Sequence, residues 1–161
     1  MTRIALATCA ALPDLHEDDA PLLAALAARG VEAQAAVWDD PGLDWGRFDL
    51  VVIRSTWDYA ARRPEFTRWA AQVDAVTRLA NPVPVVEWNT DKHYLRDLES
   101  VGVPIVPTQW LEPTRVFTSR ALHTRFPASG DFVIKPAVSA GSVDTGRYTA
   151  DTAGLMTKSP L

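Results

Sequence analysis

The sequence predicts an α/β protein built on a doubly wound parallel sheet. Three short apolar segments, at residues 4–8, 31–38 and 50–53, are separated by segments of helical character. Strands that alternate with helices at this spacing favour a parallel sheet covered by helices on both faces. The segment 50–53 reads Leu-Val-Val-Ile, which is typical of a strand that is buried on both faces. We therefore expect a Rossmann-like layer over residues 1–104.

Two helices are predicted between these strands and after them. The first runs over residues 21–29, because Pro21 suits a first helical turn and Gly30 suits a helix end. The second begins at Pro64. The apolar side chains expected to face the core are Leu22, Leu23 and Leu26 in the first helix, and Phe66, Trp69, Ala70 and Val73 in the second.

The end of the predicted layer is less regular. Residues 83–86 form a short apolar segment interrupted by a proline, which indicates a weaker strand. A third helix is predicted from Asp91 to about residue 101, with Thr90 as its N-cap and Gly102 at its end. Asp91 in the first turn suits the positive end of the helix dipole.

From residue 105 the predicted elements no longer alternate regularly between strand and helix. Residues 105–110, 131–136 and 147–150 read as short strands, and residues 115–123 as one poor helix. This pattern predicts the start of an α+β domain over residues 105–161. We expect that domain to be incomplete, because the sequence ends about ten residues after its last predicted strand.

Composition excludes several classes of function. The chain has 161 residues, a net charge of -4 and a pI near 5.3, so it lacks the basic surface of a nucleic-acid-binding protein. No apolar run approaches the roughly 18 residues of a membrane span, and the N-terminus does not resemble a signal peptide. We expect a cytoplasmic protein with no membrane partner. The sequence does not set its oligomeric state.

The residue types that bind metals are sparse. The single cysteine, Cys9, excludes an intrachain disulfide and is expected to be a small buried group. The three histidines, at positions 16, 93 and 123, are too scattered to indicate a metal cluster. Glu17, Asp18 and Asp19 precede the first helix, so their default role is capping or interaction with its dipole. The weaker alternative is that they face the substrate across the cleft.

A lysine at the end of a predicted strand is followed by a loop of small residues. The strand 132–134 would hold Lys135 rigidly, and an ammonium fixed in this way can pair with phosphate. The loop carries no bulk that would keep a phosphate from backbone N–H groups. Its residues are Ser139, Ala140, Gly141 and Ser142. The loop matches neither a Walker A motif nor a Gly-x-Gly-x-x-Gly fingerprint, so a phosphate site and a plain hairpin turn both remain open.

A second lysine, Lys92, lies in the first turn of the third predicted helix. The N-terminus of a helix already favours an anion, so a lysine there could add to a phosphate site. Taken alone, the residue is more typical of a solvated lysine on the surface of the helix.

A run of six polar and aromatic residues follows the third predicted strand. In an open parallel sheet, ligands bind outside the carboxyl ends of the strands. Arg54 could form a bidentate pair with a carboxylate, Ser55 and Thr56 could donate hydrogen bonds, and Trp57 could form a wall. Asp58 and Tyr59 complete the run. The alternative is a loop whose tryptophan packs in the core and whose aspartate caps a neighbouring element.

The ordered set of segments resembles the N-terminal half of ATP-grasp ligases, the superfamily of D-alanine ligases, glutathione synthetases and ribosomal-protein glutamate ligases. The segments are 89–92 (Asn-Thr-Asp-Lys), 101–108 (Val-Gly-Val-Pro-Ile-Val-Pro-Thr), 132–136 and the loop 139–146. The resemblance implies a pre-ATP-grasp domain over residues 1–104 and the start of an ATP-grasp domain over 105–161. It also implies that Lys92 and Lys135 reach the phosphates of ATP and that residues 139–142 form a lid over them.

The segment 54–59, Arg-Ser-Thr-Trp-Asp-Tyr, looks like the branch of the superfamily related to O-ureido-serine cyclo-ligase of cycloserine biosynthesis. In that branch the segment would belong to the substrate-side domain. The resemblance implies an ATP-dependent ligase that joins a small carboxylate to an amine through an acyl phosphate. Mg²⁺ is expected for the family, but its ligands and the adenine-binding hinge lie in a C-terminal part that we do not find here. We therefore expect these 161 residues alone to be an inactive, truncated ligase.

Two other functions remain open from the sequence. The chain could be a non-catalytic module that holds an amino-acid-like ligand with residues 54–59. It could also be a subunit whose partner supplies the missing half. Both alternatives leave it uncertain whether the chain is an enzyme in its own right.

Overall fold

The computed structural model describes residues 1–112 and 125–149. The chain divides into two compact units. The first comprises residues 1–92 together with 138–141, and the second comprises residues 93–137 and 142–161. Within the described part of the chain, no helix is long and apolar enough to cross a membrane.

A four-stranded parallel sheet forms the centre of the first unit. Its strands are β1 (Arg3–Thr8), β2 (Glu32–Val37), β3 (Leu50–Ser55) and β4 (Arg78–Ala80). Their order is β2-β1-β3-β4, and all neighbouring pairs are parallel. The prediction of an α/β fold on a parallel sheet is confirmed. The direction of strand addition reverses between β1 and β3, and this reversal is where open α/β sheets bind ligands.

Two of the predicted helices form where the sequence indicates. Helix α1 covers Ala20–Ala27 with Pro21 in its first turn, and Gly30 follows in the left-handed region at φ 72°. Helix α2 covers Arg63–Asp74, with Pro64 in its first turn. The predicted core face of α2 is buried, whereas the three leucines of α1 are only half-buried.

The segment that follows β4 is helical, and the prediction of a strand at residues 83–86 is wrong. Helix α3 covers Val83–Asn89, and the strand lies earlier, at β4. The prolines explain the difference, because Pro82 is the extended N-cap and Pro84 lies in the first turn, where no N–H donor is required. Thr90 ends this helix, since its N–H donates to the Val86 carbonyl at 3.1 Å.

The third predicted helix is therefore shorter than expected. Helix α4 covers Tyr94–Ser100, with His93 as its N-cap residue and Gly102 after its end at φ 83°. Thr90 is the C-cap of α3 rather than the N-cap of α4. Lys92 lies in the turn between the two helices, so its placement in a first helical turn is also wrong.

The second unit contains α4 and a two-stranded antiparallel sheet. Strand β5 (Asp131–Ile134) pairs with β6 (Gly146–Thr149), close to two of the predicted strands. Residues 105–110 form no strand, because Pro104 and Pro107 cannot donate to a sheet. The predicted helix at 115–123 and the last residue of the predicted strand 147–150 lie outside the described residues.

The core of the first unit lies between α2 and the sheet and is rich in aromatic rings. Trp69 lies against Phe66, Trp45 and Trp38, with ring centroids 5.2, 5.3 and 5.8 Å away. Offset and edge-to-face arrangements of this kind stabilise aromatic pairs beyond simple burial. Cys9 is 3% exposed, in line with the small buried role expected for it. The core holds the sheet fixed, so the loops at its carboxyl edge rest on a rigid base.

Candidate functional site

Two loops meet at the point where the strand order of the first unit reverses. The loop after β1 spans residues 9–19, and β3 ends with Arg54 and Ser55, which lead into the segment that begins at Thr56. Both follow the carboxyl ends of adjacent parallel strands, so they lie at the same edge of the sheet. This edge is the candidate site of the first unit.

Asp19 joins the two loops through a bidentate set of contacts. Arg54 donates to Asp19 Oδ1 from Nε at 2.9 Å and also from Nη2. Ser55 Oγ donates to Asp19 Oδ2 at 2.7 Å. Both carboxylate oxygens are therefore engaged, and Asp19 is only 4% exposed. The side chain of Arg54 is 43% exposed, so the pair presents a cation to solvent and keeps the anion inside.

The surrounding loop extends this network. The His16 N–H donates to Ser55 Oγ at 3.2 Å, and the His16 ring lies against Trp57 with centroids 4.7 Å apart. Thr8, at the end of β1, donates from Oγ1 to the Leu12 carbonyl at 2.6 Å. Leu15 is buried at φ 72°, a left-handed conformation that is costly for a leucine. The loop after β1 is therefore held in one shape from both ends.

The charge state of Asp19 follows from these contacts. The side-chain hydrogen bonds from Arg54 lower the pKa of Asp19 below its ordinary value of 3.8. Burial of the carboxyl raises the pKa, and the hydrogen bond from Ser55 lowers it further. The net direction is down, so Asp19 is an anion at neutral pH.

The six predicted substrate residues divide into two groups. Arg54 and Trp57 present exposed surface, and Trp57 is 51% exposed. Ser55 and Thr56 are 1% and 3% exposed, so they support the site from beneath. Asp58 accepts a hydrogen bond from Trp38 Nε1 at 2.9 Å, and the Tyr59 ring packs 5.4 Å from Phe66. The structure thus brings the first four together and directs the last two toward the aromatic core.

Asp19 is the site residue that sequence reasoning missed. The sequence assigns it to helix capping, and it does occupy the N-cap position of α1. However, its side chain makes no capping hydrogen bond, because both oxygens are directed to Arg54 and Ser55. The sequence did contain a sign of this pair, because an acidic residue follows β1 and an arginine lies at the end of β3, and these two strands are neighbours in the sheet.

A second charged cluster lies beside the site. Arg62 donates to Asp39 Oδ2 at 2.7 and 2.8 Å and to Glu65 Oε2 at 3.0 Å, and its guanidinium lies 4.5 Å above the Trp38 ring. The hydrogen bond with Asp39 is the main reason that the pKa of Arg62 is raised. This cluster ties the residues after β2 to the start of α2.

Two of the predicted phosphate-binding residues are in contact. Lys92 Nζ donates to the Ser139 carbonyl at 3.1 Å and to Ser139 Oγ at 2.7 Å. Lys92 is half-buried, and Gly141 adopts φ 60° with nothing within 4 Å of the position of a Cβ atom. Ala140 lies in the same loop and is half-buried. A half-buried ammonium beside a small-residue loop is an arrangement that fits a phosphate.

The remaining predicted phosphate-binding residues belong to the second unit. Lys135 directly follows β5 and is exposed, and Ser142 is exposed in the loop at φ 60°. Their contribution to nucleotide binding stays a prediction. Across residues 1–112 and 125–149, no group of three or more His, Cys, Asp or Glu side chains is arranged to hold a metal ion.

Comparison with known proteins links the first unit to one family model. Residues 4–81 match the model described as D-cycloserine synthetase DcsG, N-terminal domain. Apart from Arg3, the first residue of β1, this span contains the parallel sheet together with Asp19 and Arg54. The resemblance of segment 54–59 to the cyclo-ligase branch is thereby supported, while membership of the ATP-grasp superfamily stays a proposal.

A curated sequence and a solved structure extend the match beyond that domain. The cycloserine biosynthesis protein DcsG of Streptomyces lavendulae is 39% identical over 147 residues, which cover 90% of this chain and 49% of the relative. The crystal structure of D-cycloserine synthetase DcsG superposes with a TM-score of 0.83 and 36% identity, over 97% of this chain and 53% of that one. The chain therefore spans about half the length of the relatives it matches, and it is homologous to their N-terminal part.

Proposed function

We propose that this chain, a homologue of the DcsG N-terminal domain, supplies the substrate-side domain and part of the nucleotide site of an ATP-grasp ligase. The proposed reaction activates a small, amino-acid-like carboxylate as an acyl phosphate, which an amine then attacks. The observation that carries the proposal is the 39% identity over 147 residues, which include Arg54, Lys92 and Lys135 within a region spanning 90% of the chain. The same proposal assigns residues 1–104 to a pre-ATP-grasp domain and residues 105–161 to the start of an ATP-grasp domain.

The substrate is proposed to lie over Arg54 and Trp57. A guanidinium whose inner edge is held by Asp19 can still donate from its outer edge to a carboxylate. The half-exposed indole of Trp57 offers an apolar wall beside it. Thr56 and Ser55 then act beneath the surface, and Asp58 and Tyr59 anchor the loop to the core.

The nucleotide is proposed to lie over Lys92, Lys135 and the loop 139–142. Lys92 already has polar partners in Ser139, so phosphate would compete with or add to contacts that hold the loop. ATP would supply the phosphoryl group, and Mg²⁺ would neutralise charge during its transfer. The proposed protein acts on small molecules, in the cytoplasm, with no nucleic acid or membrane as partner.

A thermal-shift titration of the 161-residue chain with MgATP tests the nucleotide half of this proposal. A ligand that binds only the folded chain, present at about 100 times its dissociation constant, stabilises it by about 2.7 kcal/mol. We expect MgATP to raise the melting temperature, and we expect Lys92→Ala to abolish most of that rise. Lys135→Ala should weaken it further in the double variant.

Arg29→Ala is the matched control for loss of one cation, because Arg29 is exposed and, among the described residues, its guanidinium bonds only to the Ala25 carbonyl of α1. It should leave the MgATP shift unchanged. A shift that survives in the Lys92→Ala, Lys135→Ala double variant would contradict the assigned nucleotide site. No shift in the unmodified chain would remove nucleotide binding from the proposal for these 161 residues.

A binding module that needs no nucleotide is the second candidate, and the Asp19–Arg54 pair favours it specifically. A fixed cation at a strand-reversal site can hold a carboxylate without any phosphoryl transfer. This candidate predicts that an amino-acid-like ligand stabilises the chain equally with and without MgATP. A ligand effect that requires MgATP would exclude it.

A further inference from the structure

Asp19 is a buried carboxylate whose hydrogen-bond donors lie far away in the sequence. It is the last residue of a short 3-10 turn, Glu17–Asp19, that runs directly into α1, and its side chain makes no capping hydrogen bond to that helix. Instead, its two oxygens accept from Arg54 and Ser55, more than thirty residues away in sequence. The fold thus uses this carboxylate to organise the loop after β3 rather than to start a helix.

Asp19 is not itself placed to contact a ligand. It is 4% exposed, and each of its oxygens already accepts a hydrogen bond. Arg54, in contrast, reaches solvent with 43% of its side chain. Among the described residues, Arg54 Nη1 donates no hydrogen bond, so this nitrogen can donate to a ligand. Asp19 can therefore influence a bound ligand only through its effect on Arg54.

We propose that Asp19 is a positioning residue, which locks the guanidinium of Arg54 so that its outer edge receives the carboxylate of an amino-acid-like substrate. The inference rests on the proposed function, because it deepens the role of the same site. Fixing a guanidinium before binding removes the loss of side-chain freedom that would otherwise oppose the ion pair. The relay from the His16 N–H through Ser55 Oγ to Asp19 Oδ2 holds the carboxylate in turn.

Positioning differs from mere stabilisation in one measurable respect. A substitution that lowers stability or distorts the fold lowers the affinity for every ligand alike. A loss of orientation at Arg54 weakens only ligands that carry a carboxylate, because only they form the charge-assisted pair. Comparing a carboxylate with its neutral amide therefore isolates the contribution of Asp19.

The test measures dissociation constants for O-ureido-serine and for its carboxamide, each as both enantiomers, by NMR titration of the 161-residue chain. In the unmodified chain we expect the carboxylate to bind about 10- to 100-fold more tightly than the amide, as for a hydrogen bond between charged groups. Asp19→Asn should reduce that ratio to about threefold or less. Its affinity for the amide should remain within about twofold of the unmodified value.

Two further variants keep the test decisive if Asp19→Asn does not fold. Ser55→Ala removes the hydroxyl that holds Oδ2 and should reduce the carboxylate preference by about two- to fivefold. Asp39→Asn is the matched control, because it opens another Asp–Arg pair, the one with Arg62, and leaves Arg54 untouched. It should retain the full preference.

The outcomes separate this inference from the proposed function. A full carboxylate preference in Asp19→Asn and in Ser55→Ala overturns the positioning role and leaves the proposed function in place. Equal loss of affinity for carboxylate and amide in Asp19→Asn also overturns it, since that is the result of a purely structural residue. Binding of neither compound to the unmodified chain overturns the proposed substrate site and this inference together.

Discussion

At the scale of single residues, the proposed substrate site is built on one ion pair between a buried carboxylate and a partly exposed arginine. Asp19 and Arg54 are 35 residues apart in sequence and joined by charge-assisted hydrogen bonds. The sequence predicts the arginine, because it follows an apolar strand at a carboxyl edge. It does not predict the partner, because which of Glu17, Asp18 and Asp19 turns inward depends on the path of a loop that contains a left-handed Leu15.

The pair also sets a dependence of stability on pH. The pKa of Asp19 is lowered in the folded chain, chiefly by Arg54, so its contribution is fully present above its ordinary value of 3.8. That contribution is lost as the pH falls through the lower, folded-state value. We expect the difference in free energy of unfolding between the unmodified chain and Asp19→Asn to be constant near neutral pH and to shrink below about pH 4.

Urea denaturation at a series of pH values from 7 to 2 measures this difference. Asp39→Asn controls for the general effect of removing one acidic group outside the site. A difference between the unmodified chain and Asp19→Asn that stays constant down to pH 2 would show that the carboxylate gains nothing from Arg54 in the folded state.

At the scale of elements, α2 is the main support of the sheet. It buries Phe66, Trp69, Ala70 and Val73 against the core. Phe66→Ala is expected to lower the free energy of unfolding by about 3–5 kcal/mol, since Phe66 is 2% exposed and its removal leaves a cavity. Gln72→Ala on the exposed face of the same helix should change it by less than about 0.5 kcal/mol. Equal effects of the two changes, measured by urea denaturation, would contradict this packing.

Elements were predictable from the sequence where their burial pattern was strong. The three apolar strands and the buried face of α2 follow from spacing alone. Residues 83–86 were misread because three valines there favour a strand, whereas Pro82 and Pro84 suit the start of a helix. Because of this error, the sequence analysis placed Thr90 at the start of the third predicted helix, although it ends α3. It also placed Lys92 in the first turn of that helix, although α4 begins only at Tyr94.

At the scale of the whole molecule, the described part of the chain forms two units that differ in how their sheets are supported. In the first unit, β1 is paired on both sides, and Ala5 and Ala7 are fully buried. In the second unit, β5 and β6 pair only with each other among the described residues. Two-stranded sheets are marginally stable without further support.

Native-state hydrogen exchange is expected to separate the two units. Amides in the centre of β1 should exchange only through global unfolding, whereas those of β5 and β6 should exchange through a smaller opening. The measurement is the opening free energy per amide, at a pH where exchange reports on equilibrium. Equal opening free energies for β1 and β5 would show that the chain unfolds as a single cooperative unit.

The Asp19–Arg54 pair has a consequence for how proteins of this kind can diverge. Replacing Arg54 alone leaves a buried anion that, among the described residues, keeps only the Ser55 hydroxyl as a side-chain hydrogen-bond donor, and such an anion destabilises the fold as well as the site. A descendant that recognises a ligand without a carboxylate must therefore exchange both residues, or pass through a less stable intermediate. If Arg54 receives the carboxylate of the substrate as proposed, the same two positions set both substrate preference and fold stability, and we expect them to change as a pair.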